Sequence, residues 1–267
     1  MTTTQDAPVL LLDVVDRIGT ITLNRPKSRN ALSSELLRQL RIFVAELDDR
    51  DDVDVVILTG SDPAFSAGLD LKELGSTGGN LDAANGESRA TGDEPNYPWV
   101  PTTKPVIGAI NGVAITGGFE LALQCDFLVA SERAAFGDTH TRVGILPGWG
   151  LSVLLPQAIG FRRALEMSMT GNFMLADEAL YFGLVNHVVP HEELITFTRK
   201  LATDIVGNNQ DGVRELLASY RAIHRLSVGD GERHEARVGR TWSRRTYDPA
   251  AVEARRIAIM ERGRTQV

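Results

Sequence analysis

The chain has 267 residues, 43% of them hydrophobic and 24% charged, enough for one large core or a core with an appendage. Its formal net charge of −7 argues against broad binding to nucleic acid, and its single cysteine, Cys125, excludes an intramolecular disulfide and points to a reducing compartment. With no apolar run near the roughly 20 residues that span a bilayer, and no signal-like start, the expectation is a cytoplasmic protein with no membrane partner.

Two β-rich runs, "VLLLDVV" and "IGTITLN", open the chain around a short Asp-Arg turn. "RPKSRNALS" breaks the pattern, and Ser33 or Ser34 caps a helix whose Leu36, Leu37, Leu40, Val44 and Leu47 recur at helical spacing. "VDVVILTG" reads as a buried strand. A unit then occurs twice: "VVILTGSDPAFSAGLDLKEL" and "VIGAINGVAITGGFELALQC" each run from strand through small residues into a helix. Between them, residues 75–99 are rich in Gly, Asn and Asp and read as a loop at an entrance. Further on come the strand "DFLVAS", a short "AAFG", a loop ending in "LPGWG", and helices over "LSVLLPQAIG", "RRALEMSMTG" and "ADEALYFG". After the strand "LVNHVV" the chain is mostly helical, with "HEELITFTRKLATDIV", "DGVRELLASYRAIHRL" and "DPAAVEARRIAIMERG" the clearest stretches. The expectation is an α/β core over residues 1–200 and a helical oligomerisation region over 201–267.

The repeated unit has chemical consequences. Amide groups at a helix start lack intrahelical acceptors and carry the positive end of the helix dipole, and small residues let a ligand oxygen approach them. If the two turns face one another, the N–H groups of Ala67 and Gly117 converge on one oxygen as an oxyanion hole; the plainer reading is a pair of ordinary Gly-rich turns. Glu120, just after "TGGF", either accepts amide hydrogen bonds at the helix start or moves a proton. His140 can donate and accept near neutrality, touch a substrate, or simply hold a carbonyl. Were "AAFGDTH" extended, Asp138 and His140 would share one side and hydrogen-bond. Cys125 reads as an inert buried thiol, and His187, His191, His224 and His234 lack metal-ligand spacing.

"ITLNRPKSRNAL", "AFSAGLDLKEL", "KPVIGAINGVAITGGFELALQCDFLVASERAAFG", "VGILPGWG" and "MTGNFMLADEALYFGLVNHVVP", in this order across nearly the whole chain, resemble the enoyl-CoA hydratase/isomerase (crotonase) superfamily. The resemblance implies a crotonase-like spiral of ββα units followed by a C-terminal helical trimerisation region, assembled as a homotrimer or homohexamer. It implies an acyl-CoA substrate, no permanently bound cofactor beyond the coenzyme A of that substrate, and no metal. By matching motifs, Ala67 and Gly117 are the oxyanion donors, Glu120 is an acid/base, and Ser66, Asp70 and Lys72 lie in the CoA region. Trp149 falls on a wall of the acyl pocket, where a large side chain narrows it. The hydratases of the family carry a second glutamate in a Phe-Gly-x-x-Glu pattern. Here that stretch reads Phe136-Gly137-Asp138-Thr139-His140, so histidine stands in its place. The expected activity is that of an enoyl-CoA hydratase, with another family reaction (isomerisation or acyl-CoA hydrolysis) or a weakly active CoA-ester-binding subunit as alternatives.

Overall fold

A computed structural model describes residues 7–85 and 95–265. The chain divides into two compact units, Met1–Arg214 and Glu215–Val267. Among the described residues, the first holds every strand. β1 (Leu10–Val15) and β2 (Ile18–Leu23) form an antiparallel hairpin that starts a six-stranded sheet in the order β1-β2-β3-β5-β7-β10. From β2 onward its neighbours, β3 (Val55–Gly60), β5 (Val106–Ile110), β7 (Phe127–Ser131) and β10 (His187–Val189), pair in parallel. A second sheet of four short strands has the order β4-β6-β8-β9: β4 (Ala64–Ser66), β6 (Val113–Ile115), β8 (Ala135–Gly137) and β9 (Phe173–Leu175).

The sequence repeat becomes a spiral. Each turn gives one strand to the large sheet, one to the small sheet, and then a helix. β3 and β4 lead into α2 (Leu71–Ser76), β5 and β6 into α4 (Gly117–Leu123), and β7 and β8 into α5 (His140–Val143). The α/β spiral expected from the motifs is therefore the observed architecture. The central strands are buried on both faces, which is why β3 is unbroken "VVILTG". Its side chains alternate: Val56 and Leu58 enter the main core, with Leu36, Leu37, Leu40 and Leu47, Phe119 and Phe136. Val55 and Ile57 face the opposite side, where Leu194 and Ala202 of α9 (Leu194–Val206) cover them. Helix α9 packs across β2, β3, β5 and β7, so the first unit runs past the expected boundary at residue 200; Arg214 closes it, 3.8 Å from buried Asp54.

Helix α1 (Ser34–Asp49) buries the five predicted apolar positions, and the Ser33 hydroxyl caps it by accepting from the Leu36 amide at 3.3 Å. Part of the stretch expected as a loop is helical: α3 (Gly79–Asn85) lies against α1, while residues 86–94 lie outside the described residues. Helices α6 (Leu151–Ile159), α7 (Phe161–Thr170) and α8 (Ala176–Tyr181) follow the glycine stops. Beyond α10 (Gln210–Ile223), the second unit contains α11 (Val228–Thr246) and α12 (Pro249–Thr265). Among the described residues no helix is long and apolar enough to cross a membrane.

Candidate active site

The two repeated strand-to-helix turns lie against each other. A Cβ on Gly118 would meet the Ser66 carbonyl oxygen at 2.4 Å, and one on Gly68, at φ +83°, would meet the Ile115 carbonyl oxygen at 2.7 Å. Only glycine lets these backbones approach so closely. The turns thus face one another, as the oxyanion hypothesis requires.

One of the expected donors is different. The Ala67 N–H is spent on the Arg29 carbonyl at 2.9 Å, so Ala67 is not available to a ligand. Two residues on, the Leu69 amide donates to no acceptor among the described residues; its flanking groups, Gly68 C=O and Asp70 N–H, are both taken by Leu32. A Cβ placed on Gly117 would lie 3.9 Å from the Leu69 nitrogen. Gly117, the first residue of α4, has no intrahelical acceptor for its own N–H. Among the described residues, the free amides that lie close together at the facing turns are therefore those of Leu69 and Gly117.

Thr116 precedes this pair at φ +54° and ψ −117°, a conformation costly for a β-branched residue, of order 1–3 kcal/mol. Its amide donates to the Gly137 carbonyl at 2.9 Å and its hydroxyl meets that of Thr139 at 2.5 Å. These bonds fasten the start of α4 to the turn that carries Asp138 and His140.

Glu120 sits on the first turn of α4 with its side chain 4% exposed. One carboxylate oxygen, Oε1, accepts the amides of Gly148 at 3.1 Å and Trp149 at 2.7 Å. The other, Oε2, lies 3.3 Å from Nε2 of His140. His140 is equally buried, and its Nδ1 is 2.6 Å from Oδ1 of Asp138. Strand alternation does not bring this pair together, because β8 ends at Gly137. Instead the Asp138 carboxylate also accepts the His140 amide at 3.1 Å, an Asx turn that starts α5.

The imidazole stands between two carboxylates. Burial alone would lower its pKa, but its hydrogen bonds and charge attraction to Asp138 and Glu120 outweigh that and raise it to about 9. Burial likewise works to raise Asp138, and hydrogen bonds from His140 and Ser168 hold it below the usual carboxylate value. At neutral pH His140 is an imidazolium.

Other predicted residues divide. The indole of Trp149 is buried beside Gly117, with a ring carbon 3.8 Å from a Cβ placed there, and its Nε1 donates to the Ala84 carbonyl of α3 at 2.9 Å. Ser66 is fully buried; its hydroxyl donates to the Asn30 carbonyl at 2.8 Å and accepts from Gly68 N–H, so it supports the turn and does not face a ligand. Asp70 caps α2 through the Lys72 and Glu73 amides and pairs with Arg25 at 2.8 Å. Lys72 is exposed. His191 links buried Ser131 to Asp62, at 3.0 Å on each side, and His187 packs edge-on against Phe197. The Cys125 thiol is buried and its pKa is pushed up by desolvation. Among the described residues no cluster of His, Cys, Asp and Glu is arranged to hold a metal.

Residues 14–240 match the sequence profile described as Enoyl-CoA hydratase/isomerase. The chain belongs to the enoyl-CoA hydratase/isomerase family. A protein of Arabidopsis thaliana named "Probable enoyl-CoA hydratase 1, peroxisomal" is 44% identical over 212 residues, 79% of this chain and 78% of that one. "Probable enoyl-CoA hydratase, mitochondrial" of Dictyostelium discoideum is 40% identical over 226 residues, 83% of this chain and 78% of that one. A crystal structure of enoyl-CoA hydratase from Mycobacterium smegmatis superposes with a TM-score of 0.73 at 52% identity, covering 90% of this chain and all of that one. The protein is thus an enzyme of the hydratase/isomerase family with the crotonase fold.

Proposed function

We propose that the protein hydrates enoyl-CoA thioesters, with Leu69 and Gly117 as oxyanion donors, Glu120 as base and His140 as acid. The observation that carries this reading is the pairing of Glu120 with the His140 imidazole at 3.3 Å, beside two free amides. Hydration needs one base and one acid. Glu120 Oε2 takes a proton from water as the oxygen bonds to the β carbon. The displaced π electrons flow to the thioester oxygen, which the amides of Leu69 and Gly117 hold as charge builds. The enolate then collapses, and Nε2–H of His140 gives its proton to the α carbon. Glu120 is left protonated and His140 neutral, and the proton returns across the same 3.3 Å.

Coenzyme A enters as part of the substrate, and no permanent cofactor is needed. Lys72 is the exposed CoA-region candidate, and Trp149 walls the acyl side of the pocket. Isomerisation and acyl-CoA hydrolysis use the same amide pair, as does binding without turnover; the presence of both a fixed base and a charged acid favours hydration over each. A homotrimer or homohexamer is supported by apolar residues exposed in the second unit, among them Leu216, Tyr220, Val228 and Tyr247. A cytoplasmic location fits the lone buried cysteine.

Loss of enoyl absorbance on mixing with crotonyl-CoA tests the reading. Glu120→Gln should slow that loss by about 10²–10⁴-fold, the usual contribution of a general base. A wild-type rate in this variant removes Glu120 from the chemistry, and no turnover of any enoyl-CoA by the native protein overturns the hydratase assignment.

A further inference from the structure

We infer that Asp138 is a positioning residue for the acid: it holds Nδ1–H of His140 throughout turnover, so that Nε2 alone gives up a proton and receives it back from Glu120. The inference rests on the hydratase reading and goes beyond it, because it concerns how a histidine works where a second glutamate stands in the family's hydratases. The geometry is specific. One carboxylate oxygen, Asp138 Oδ1, binds both the ring nitrogen of His140 at 2.6 Å and its backbone amide at 3.1 Å, in surroundings where both side chains are no more than 4% exposed. Ring and backbone are fixed by one acceptor, which sets the imidazole plane with Nε2 toward Glu120.

The chemistry explains why a carboxylate is needed there. After protonating the α carbon, His140 is neutral and has two tautomers. With the proton on Nε2, the ring cannot accept from protonated Glu120 and the site stalls. With the proton on Nδ1, the Nε2 lone pair faces Glu120 and the proton returns. Asp138, an acceptor held below the ordinary carboxylate pKa, selects the second tautomer.

Charge points the same way. Two carboxylates sharing one proton, the state in which one is acid and the other base, carry a net −1. Replacing the acid by an imidazolium makes the pair neutral, and Asp138 brings the group back to −1. The charged groups around the imidazole bear this out. α4 presents Glu120 and the β8–α5 turn presents Asp138; α7 contributes the Ser168 hydroxyl to Asp138 while its Glu166 is exposed; Arg142 of α5 is turned away to the Thr170 carbonyl at 3.1 Å.

Histidine labelled with nitrogen-15 tests this directly, with His140→Gln identifying the resonance among the five histidines. In the native protein Nδ1 should stay protonated at every pH, and Nε2 should titrate well above the ordinary histidine value. In Asp138→Asn, nearly isosteric, that titration should move to lower pH. The alkaline limb of the rate with crotonyl-CoA should move with it by at least about one pH unit, and kcat at mildly alkaline pH should fall about tenfold or more while KM stays nearly constant. A purely structural Asp138 would leave the alkaline limb where it is. Native Nδ1 that deprotonates, or a limb unmoved in Asp138→Asn, overturns the inference. The native spectrum, with its His140→Gln assignment, needs neither turnover nor the Asp138 variant, so the tautomer is tested even if crotonyl-CoA is not a substrate.

Discussion

At the scale of single residues, the site turns on how many negative charges surround position 140. His140 is stable as an imidazolium because Glu120 and Asp138 flank it. Restoring the family's glutamate by His140→Glu would place three carboxylates in one buried cluster, where like charges raise one another's pKa and resist ionisation. The variant should hydrate crotonyl-CoA at least about tenfold more slowly than the native enzyme, and adding Asp138→Asn should recover much of the loss, since an amide can donate to the new carboxylate. Initial rates of the native protein, both single variants and the double variant give the coupling. If His140→Glu alone outpaces the native enzyme, Asp138 exerts no hold on this position and the natural reaction is something other than simple hydration.

At the scale of elements, catalysis depends on two strand-to-helix turns packed without side chains between them. Gly118→Ala would push a methyl group to within 2.4 Å of the Ser66 carbonyl and 2.7 Å of the Ser66 side chain. Relief of such overpacking costs about 1–3 kcal/mol and separates the turns, so the amides of Leu69 and Gly117 no longer meet. The expected loss in rate is about 100-fold with the circular dichroism spectrum retained. Gly75→Ala, on the open side of α2 with nothing within 4 Å, is the control and should leave the rate intact. Native activity in Gly118→Ala would show that the turns can part without harm. Much of this layer was readable in the sequence: period-2 and all-apolar runs marked β1 to β3, a five-position apolar stripe and Ser33 marked α1, and the repeated turn marked the spiral. What was not readable lay in the backbone. Ala67 and Leu69 offer the same amide chemistry, and only the Arg29 carbonyl decides which is free. Nothing in the letter Thr announces a left-handed φ at Thr116, and nothing in "FGDTH" shows that the strand stops at Gly137 and an Asx turn takes over. Helix α11, within the stretch expected to be mostly helical, is not among its clearest segments because Gly229, Gly231 and Gly239 weaken its propensity and, of its residues, Gly231 is the one buried.

For the whole molecule, the same buried histidine links folding to pH. Its pKa is about 9 in the folded state against 6.5 for a free side chain, the value expected once the chain unfolds. A group whose folded pKa is raised adds stability in full below the unfolded value and loses it as pH climbs to the folded one. His140 should therefore stabilise the protein fully below pH 6.5, progressively less up to about 9, and not at all beyond. Asp138, whose folded pKa is lowered, works in the other direction: its contribution is present above the ordinary Asp value of 3.8 and is lost as pH falls through the lower folded one. Both contributions are in force from there up to 6.5. Unfolding free energies from denaturant titrations across the alkaline window should fall more steeply for the native protein than for His140→Gln, by about 3 kcal/mol over the full range. The comparison removes the general repulsion of a chain with net charge −7, which both proteins share. Parallel curves would mean that His140 titrates near its ordinary value, and the imidazolium assigned as the catalytic acid would not exist at neutral pH.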